Sequence, residues 1–182
     1  TLGINKTTAD TTGTATTLAL GITGGAVLGA ISGTHAADIT NLNVTTTGTT
    51  ASTIANATFA GVTALAVTGT SKLTLTNNTF GALTTVTSGD GGLALGTTAL
   101  GVNTLFTGGA GNDAFIAGAT TKALTLGAGD NTVTISGGVT ALATGGSITA
   151  GAGTADTLVF ATTANAVTLS AAGTVQTAFK TA

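Results

Sequence analysis

Residues Gly108-Gly109-Ala110-Gly111-Asn112-Asp113-Ala114-Phe115-Ile116 satisfy the nonapeptide pattern GGxGxDxUx at every defined position. Glycine in the first, second and fourth places permits positive φ angles, and so a loop tight enough for main-chain carbonyls to converge. Aspartate in the sixth place adds a hard anionic oxygen of the kind calcium prefers. Phe115, in the eighth, is the apolar residue that turns inward as a short strand begins. Eighteen residues on, Leu126-Gly127-Ala128-Gly129-Asp130-Asn131-Thr132-Val133-Thr134 repeats the word in phase, and Val133 corresponds to Phe115. This copy has Leu126 for the first glycine and Asn131 for the sixth-place aspartate, with Asp130 one place early to supply the charge. A third copy, Gly151-Ala152-Gly153-Thr154-Ala155-Asp156-Thr157-Leu158, carries one inserted residue before Asp156. Between the second and third, the segment Gly137 to Gly146 breaks the step.

Moving outward from these words, the chain shows a loose period of about twenty residues, the range of solenoid repeats. Phe59, Val62 and Leu65 are spaced by three, and Phe80, Leu83 and Val86 repeat that spacing 21 residues later. Upstream, Ile39 and Leu42 precede Phe59 and Val62 by twenty; downstream, Val102 and Leu105 follow Leu83 and Val86 by nineteen, and Leu124 follows Leu105 by nineteen. Alternating runs such as Leu73-Thr74-Leu75-Thr76 and Val133-Thr134-Ile135 read as strands bounded by Gly or Asn. Stacked one coil apart, at the 4.7–4.9 Å spacing of neighbouring strands, such residues form continuous interior ladders. The expected fold is all-β, a parallel β-helix or β-roll solenoid of roughly eight coils. Residues 1–100 read as coils of about twenty residues. Residues 101–182 read as calcium-binding coils continuing the same solenoid. A β-sandwich of short strands is the alternative, but it does not explain why whole coils resemble one another.

Composition agrees with a narrow core. Of 182 residues, 42% are hydrophobic but only 3% aromatic, with six Phe and no Trp, Tyr, Met, Cys or Pro. Such side chains fill a thin interior better than the dense centre of a globule. Without cysteine there are no disulfides and no thiol chemistry. Four Lys and no Arg exclude a basic footprint for nucleic acid. No apolar run reaches the ~20 residues of a membrane span, since Gly21, Gly24, Gly25 and Gly29 interrupt Leu18 to Ile31. The absence of an initiating Met and of a basic, then apolar, leader reads as part of a longer chain. All six acidic residues are Asp, the short carboxylate that suits a calcium site inside a tight loop.

The stretch Phe106 to Ser136, FTGGAGNDAFIAGATTKALTLGAGDNTVTIS, resembles segments of RTX-type bacterial surface-layer proteins of the Caulobacter kind. The resemblance extends over roughly Leu105 to Phe160. It implies a large protein exported by a type I system to the cell surface. It also implies calcium-dependent self-association into a two-dimensional lattice, commonly hexameric, over lipopolysaccharide. On this resemblance Asp113 takes the family's ligand position, with Gly108, Gly109 and Gly111 shaping its loop. Gly127, Gly129 and Asp130 take the next coil, Asn131 departs from the usual Asp, and Asp156 belongs to the third copy.

Other features read as structural. His35 is the only histidine, near Asp38, and no Ser-His-acid set can be assembled around it. Pectin-cleaving solenoids combine Asp with basic residues in a groove, and this chain has no Arg. Asp90, in Ser88-Gly89-Asp90-Gly91-Gly92, reads as a plain turn. Lys6, Lys72, Lys122 and Lys180 read as solvated turn positions, and Asn77-Asn78 and Asn103 as turn ladders. Thr-x-Thr words invite an ice-binding reading, which the uneven coils oppose. The expectation is a non-enzymatic, extracellular, calcium-binding structural protein. The rival readings are a segment of a type I-secreted adhesin and the calcium-folded tail of a secreted protease or lipase.

Overall fold

A computed structural model describes residues 2–3, 16–32, 38–80, 83–97, 99–136, 145–161 and 174–175. His35, Lys6, Lys180 and most of the segment 137–146 lie outside the described residues. The chain is a parallel β-solenoid. Apart from Val27–Leu28 and Ile31–Ser32, which both pair with Ser52–Phe59, successive strands alternate between two sheets, and each pairs in parallel with its counterpart one coil away. Among the described residues, one sheet has nine strands, including Ser52–Phe59, Leu73–Phe80, Leu93–Leu95, Ala114–Ala117, Thr132–Ser136 and Thr157–Ala161. The other has eight, including Thr16–Thr23, Ile39–Thr47, Ala64–Gly69, Thr85–Thr87, Leu105–Thr107, Ala123–Thr125 and Ser147–Thr149. Both sheets run unbroken past residue 100: Ala94 pairs with Ala114, and Val86 with Phe106.

The sequence takes this form because its strands are two-faced. Parallel sheets covered on both sides read as unbroken apolar runs, whereas a solenoid wall has one face inside and one in water. In Leu73–Phe80 the first residues alternate between buried and part-exposed. Leu73, Leu75, Leu93, Val133 and Ile135 are fully or nearly fully buried. Threonine occupies the outward places; its β-branch favours extended backbone and its hydroxyl keeps contact with water.

Coil length varies along the chain. Bonded residues in adjacent coils are 24 apart for Thr17 and Asn41, 23 for Thr45 and Thr68, and 21 for Asn56 and Asn77. The step is then 20 for Leu93 and Asp113, 18 for Asp113 and Asn131, and 25 for Asn131 and Asp156. The repeats expected at Phe59/Phe80, Leu65/Val86 and Phe115/Val133 are real pairs. Three others shift. Leu42 stacks on Leu65 rather than Val62, because the early coils are longer than twenty. Phe106, not Leu105, stacks on Val86 and Leu124. A slip of one residue exchanges the faces of a strand, which buries the larger Phe106 completely and leaves Leu105 and Val102 exposed.

Phe106 lies in the strand before the nonapeptide loop, Leu105–Thr107, and Phe115 in the strand after it, Ala114–Ala117, one in each sheet. Their rings meet across the core at 4.3 Å between centroids, tilted by 37°, and pin both ends of the loop together. Phe106→Ala is expected to lower stability by about 3–5 kcal/mol, against under ~0.5 kcal/mol for Leu105→Ala. Denaturant midpoints of the two variants check this register, and equal effects would contradict it.

Candidate metal centre

The nonapeptide loops lie on the connections from the eight-stranded to the nine-stranded sheet, at one corner of the coil. At such a corner the strand ladder ends while main-chain amides stay buried, and buried amides need partners. Side-chain oxygens supply them. Asp113 is 1% exposed. Its Oδ1 accepts the Leu93 N–H at 2.7 Å and the Ser88 hydroxyl at 2.6 Å. One coil on, Asn131 Oδ1 accepts the Asp113 N–H at 2.8 Å. One coil further, Asp156 Oδ1 accepts the Asn131 N–H at 2.9 Å. Asp113, Asn131 and Asp156 thus form an inner column in which each side chain holds the amide of the coil before it.

A second column lies one residue outward and points the other way. Asn112 Oδ1 accepts the Asp130 N–H of the following coil at 2.9 Å. Asp130 Oδ1 accepts the Thr154 and Ala155 N–H groups, each at 2.9 Å, and the Thr154 hydroxyl at 3.0 Å. These donors, the Thr154 amide first, hold the Asp130 carboxyl below the usual range. Asp90, three places before Leu93, accepts the Ala110 N–H at 3.3 Å. It takes part in the stacking as well as turning the chain.

The glycines serve two different ends. Gly127 and Gly129 adopt φ of +75° and +84°, where side chains are strained. Gly108, Gly109 and Gly111 lie outside that region and are small for the sake of close stacking. A Cβ on Gly108 would strike the Leu126 carbonyl and come within 2.6 Å of Asp113 Oδ2; one on Gly111 would strike the Gly92 backbone.

One atom of each inner carboxylate is left over. Asp113 Oδ2 and Asp156 Oδ2 are buried with no hydrogen-bond partner. An oxygen anion in that state is costly unless a proton or cation meets it. Burial accordingly pushes the Asp113 carboxyl up from 3.8 to about 6, against the pull of Ser88, the Leu93 amide and the Lys72 charge. The residues fit a hard cation here: an unpartnered carboxylate oxygen beside a glycine cradle that admits no side chain. Among the described residues no three acidic, histidine or cysteine side chains cluster to hold an ion, so main-chain carbonyls would complete any shell.

The expected site residues therefore fall into three groups. Gly108, Gly109, Gly111 and Asp113 share one loop. Gly127, Gly129 and Asn131 share the next, with Asp156 reaching back to it. Asp130 stands apart on the outer column, exposed and bonded to the following coil. Sequence reasoning missed Ser88, which has no place in the motif, and Asn112, whose role is visible only once Asp130 is stacked beyond it. Lys72, read as a solvated turn, is half-buried and acts on Asp113 through its charge.

Elsewhere the surface offers a hollow of about 230 Å³ lined by Leu83, Thr84, Gly101, Val102 and Asn103, with no titratable side chain. Asn77 donates to Asn56 Oδ1 within paired strands, so Asn77 and Asn78 belong to a strand and not to the expected turn. Thr121 donates to Asn103 Oδ1 outside the strands, as a turn ladder does. Among the described residues no helix is long and apolar enough to cross a membrane. No protein-family model and no curated protein matches the chain. The fold itself defines the class, a parallel β-solenoid with glycine-rich corner loops.

The raised Asp113 pKa has a signed consequence. Between pH about 4 and about 6 the folded chain holds a proton that the unfolded chain has released, so stability falls as pH rises through that window. In chelator, melting temperature should rise on acidification from pH 7 to pH 5, by an amount worth about 1 kcal/mol. Asp113→Asn should flatten that profile. An unchanged profile in the variant would show that another group titrates.

Proposed function

We propose that this chain is a non-catalytic, calcium-stiffened segment of an extracellular structural protein that self-associates into a surface lattice. The observation that carries the reading is the buried, unpartnered Oδ2 of Asp113 inside a loop that only glycine can form. A bound calcium ion would supply positive charge to that oxygen and to the loop carbonyls. Gly108, Gly109, Gly111 and Asp113 would hold it, and Asp156 offers a second unpartnered oxygen two coils further on.

The energetics favour an extracellular home. Ordering a Gly-rich backbone costs about 1–2 kcal/mol per residue, and small side chains return little burial energy. An ion that binds only the folded chain adds about 2.7 kcal/mol per site at a hundredfold excess over Kd. Extracellular calcium modules have Kd of about 10⁻⁴–10⁻³ M. Such sites fill outside the cell and stay empty inside it, which suits export as an unfolded chain.

The lattice part of the reading is supported by the resemblance of residues 106–136 to surface-layer proteins and by the walls of the solenoid. Thr87, Thr107, Thr125 and Thr149 pair in succession along one sheet, giving an uncharged outward column suited to many weak lateral contacts. Lipopolysaccharide is the expected anchor. The carboxylates are bonded to main-chain amides at the corner loops, an arrangement that holds coils together and sets no nucleophile against a base.

In millimolar calcium the purified chain should melt roughly 5–10 °C higher than in EDTA for each site filled. Electron microscopy should show planar arrays that chelator dissolves. Equal melting temperatures would remove the calcium reading. A calcium response without planar order would favour an adhesin spacer instead.

A further inference from the structure

At the sixth place the second loop differs from the first in one side-chain atom. Asn131 and Asp113 occupy equivalent places, since Ala114 pairs with Thr132 directly after them. In both, Oδ1 accepts the amide of the equivalent residue one coil earlier, Leu93 for Asp113 and Asp113 for Asn131. The remaining atom is therefore Oδ2 in one and Nδ2 in the other. Asp113 Oδ2 has no partner. Asn131 Nδ2 donates to the Ala128 carbonyl at 3.2 Å, the Gly129 carbonyl at 3.0 Å and Asp156 Oδ1 at 2.9 Å. The reverse amide orientation would set an oxygen against three acceptors and lose the Asp113 N–H, so the bonding pattern itself fixes which atom is nitrogen.

Two converging main-chain carbonyls and one carboxylate oxygen are the donor set of a hard divalent cation. Here a side-chain amide lies at their centre. The geometry points to Asn131 as an internal stand-in for the cation: its Nδ2 holds the 126–131 loop closed without metal. The residue at this place decides which loops take an ion. Aspartate leaves an oxygen that a cation must meet; asparagine brings its own positive hydrogens. The chain accordingly carries a metal-independent clasp between two coils whose carboxylates, Asp113 and Asp156, each keep an unpartnered oxygen. This deepens the calcium reading of the loops and rests on it only for the identity of the ion.

The test compares wild type, Asn131→Asp and Asn131→Ala by thermal unfolding in EDTA and in millimolar calcium chloride, with calcium stoichiometry by titration calorimetry. Both substitutions should lower the melting temperature in EDTA by roughly 5 °C or more. Calcium should restore Asn131→Asp to the wild-type value, with one additional ion bound per chain, and leave Asn131→Ala low. If Asn131→Asp unfolds in EDTA and folds in calcium, the inference stands in its strongest form. An Asn131→Asp chain that melts like wild type in EDTA, or that calcium rescues no better than Asn131→Ala, overturns it. The wild-type response separates the two readings. A wild type indifferent to calcium beside a responsive Asn131→Asp removes the proposed function and keeps this inference. A responsive wild type beside an Asn131→Asp that gains no further response does the reverse.

Discussion

The bond on which this structure depends joins a side-chain oxygen to the main-chain N–H of the neighbouring coil, at the corner where the strand ladder stops. Strands pair by themselves along the walls, but a sheet pairing tolerates slippage unless something pins its register. Asp113 on the Leu93 amide, Asn131 on the Asp113 amide and Asp156 on the Asn131 amide are those pins. They decide that Phe115 meets Val133, that Val133 meets Leu158, and so which residues form the core. The outer bonds of Asn112 and Asp130 reach in the opposite direction, so each corner is held from both sides.

The same arrangement makes the corners electrostatically incomplete. Each inner Asp has two oxygens, and stacking uses one. The second oxygen of Asp113 and of Asp156 stays buried without a partner, so these corners respond to whatever charge reaches that atom, a proton in acid first. At Asn131 an amide nitrogen stands in the oxygen's own place. Local chemistry at one atom thereby couples a backbone otherwise short of binding energy to the composition of the surrounding solution.

Much of this was legible in the sequence. Alternating Leu-Thr-Leu-Thr, the nonapeptide and its copy eighteen residues on gave the coil, the sheet type and the inward turn of Phe115. The register of the earlier coils was not legible, because a fixed period of about twenty cannot follow coils that shorten from 24 to 18 residues. Leu42 was matched to the wrong neighbour for that reason; Leu105 was taken in place of Phe106, one residue on, although the step from Val86 to Phe106 is twenty. The loops were legible in residue type but not in division of labour. Asp130 looked like the missing charge of the second copy, and stacking sends it outward. Asn131 looked like a weakened ligand, whereas three acceptors converge on its nitrogen. Hydrogen-bond direction across coils leaves no mark in a linear pattern of residue types.

Every pin described above spans a single winding, between 18 and 25 residues of chain. Closing a loop of that size costs a similar, modest entropy each time, because the cost grows only with the logarithm of length. No contact must wait for a distant segment to arrive, so order can start at any finished winding and spread to its neighbours like a zipper. The winding anchored by Phe106 and Phe115 combines the shortest closure with the largest side chains, which makes it the natural starting point.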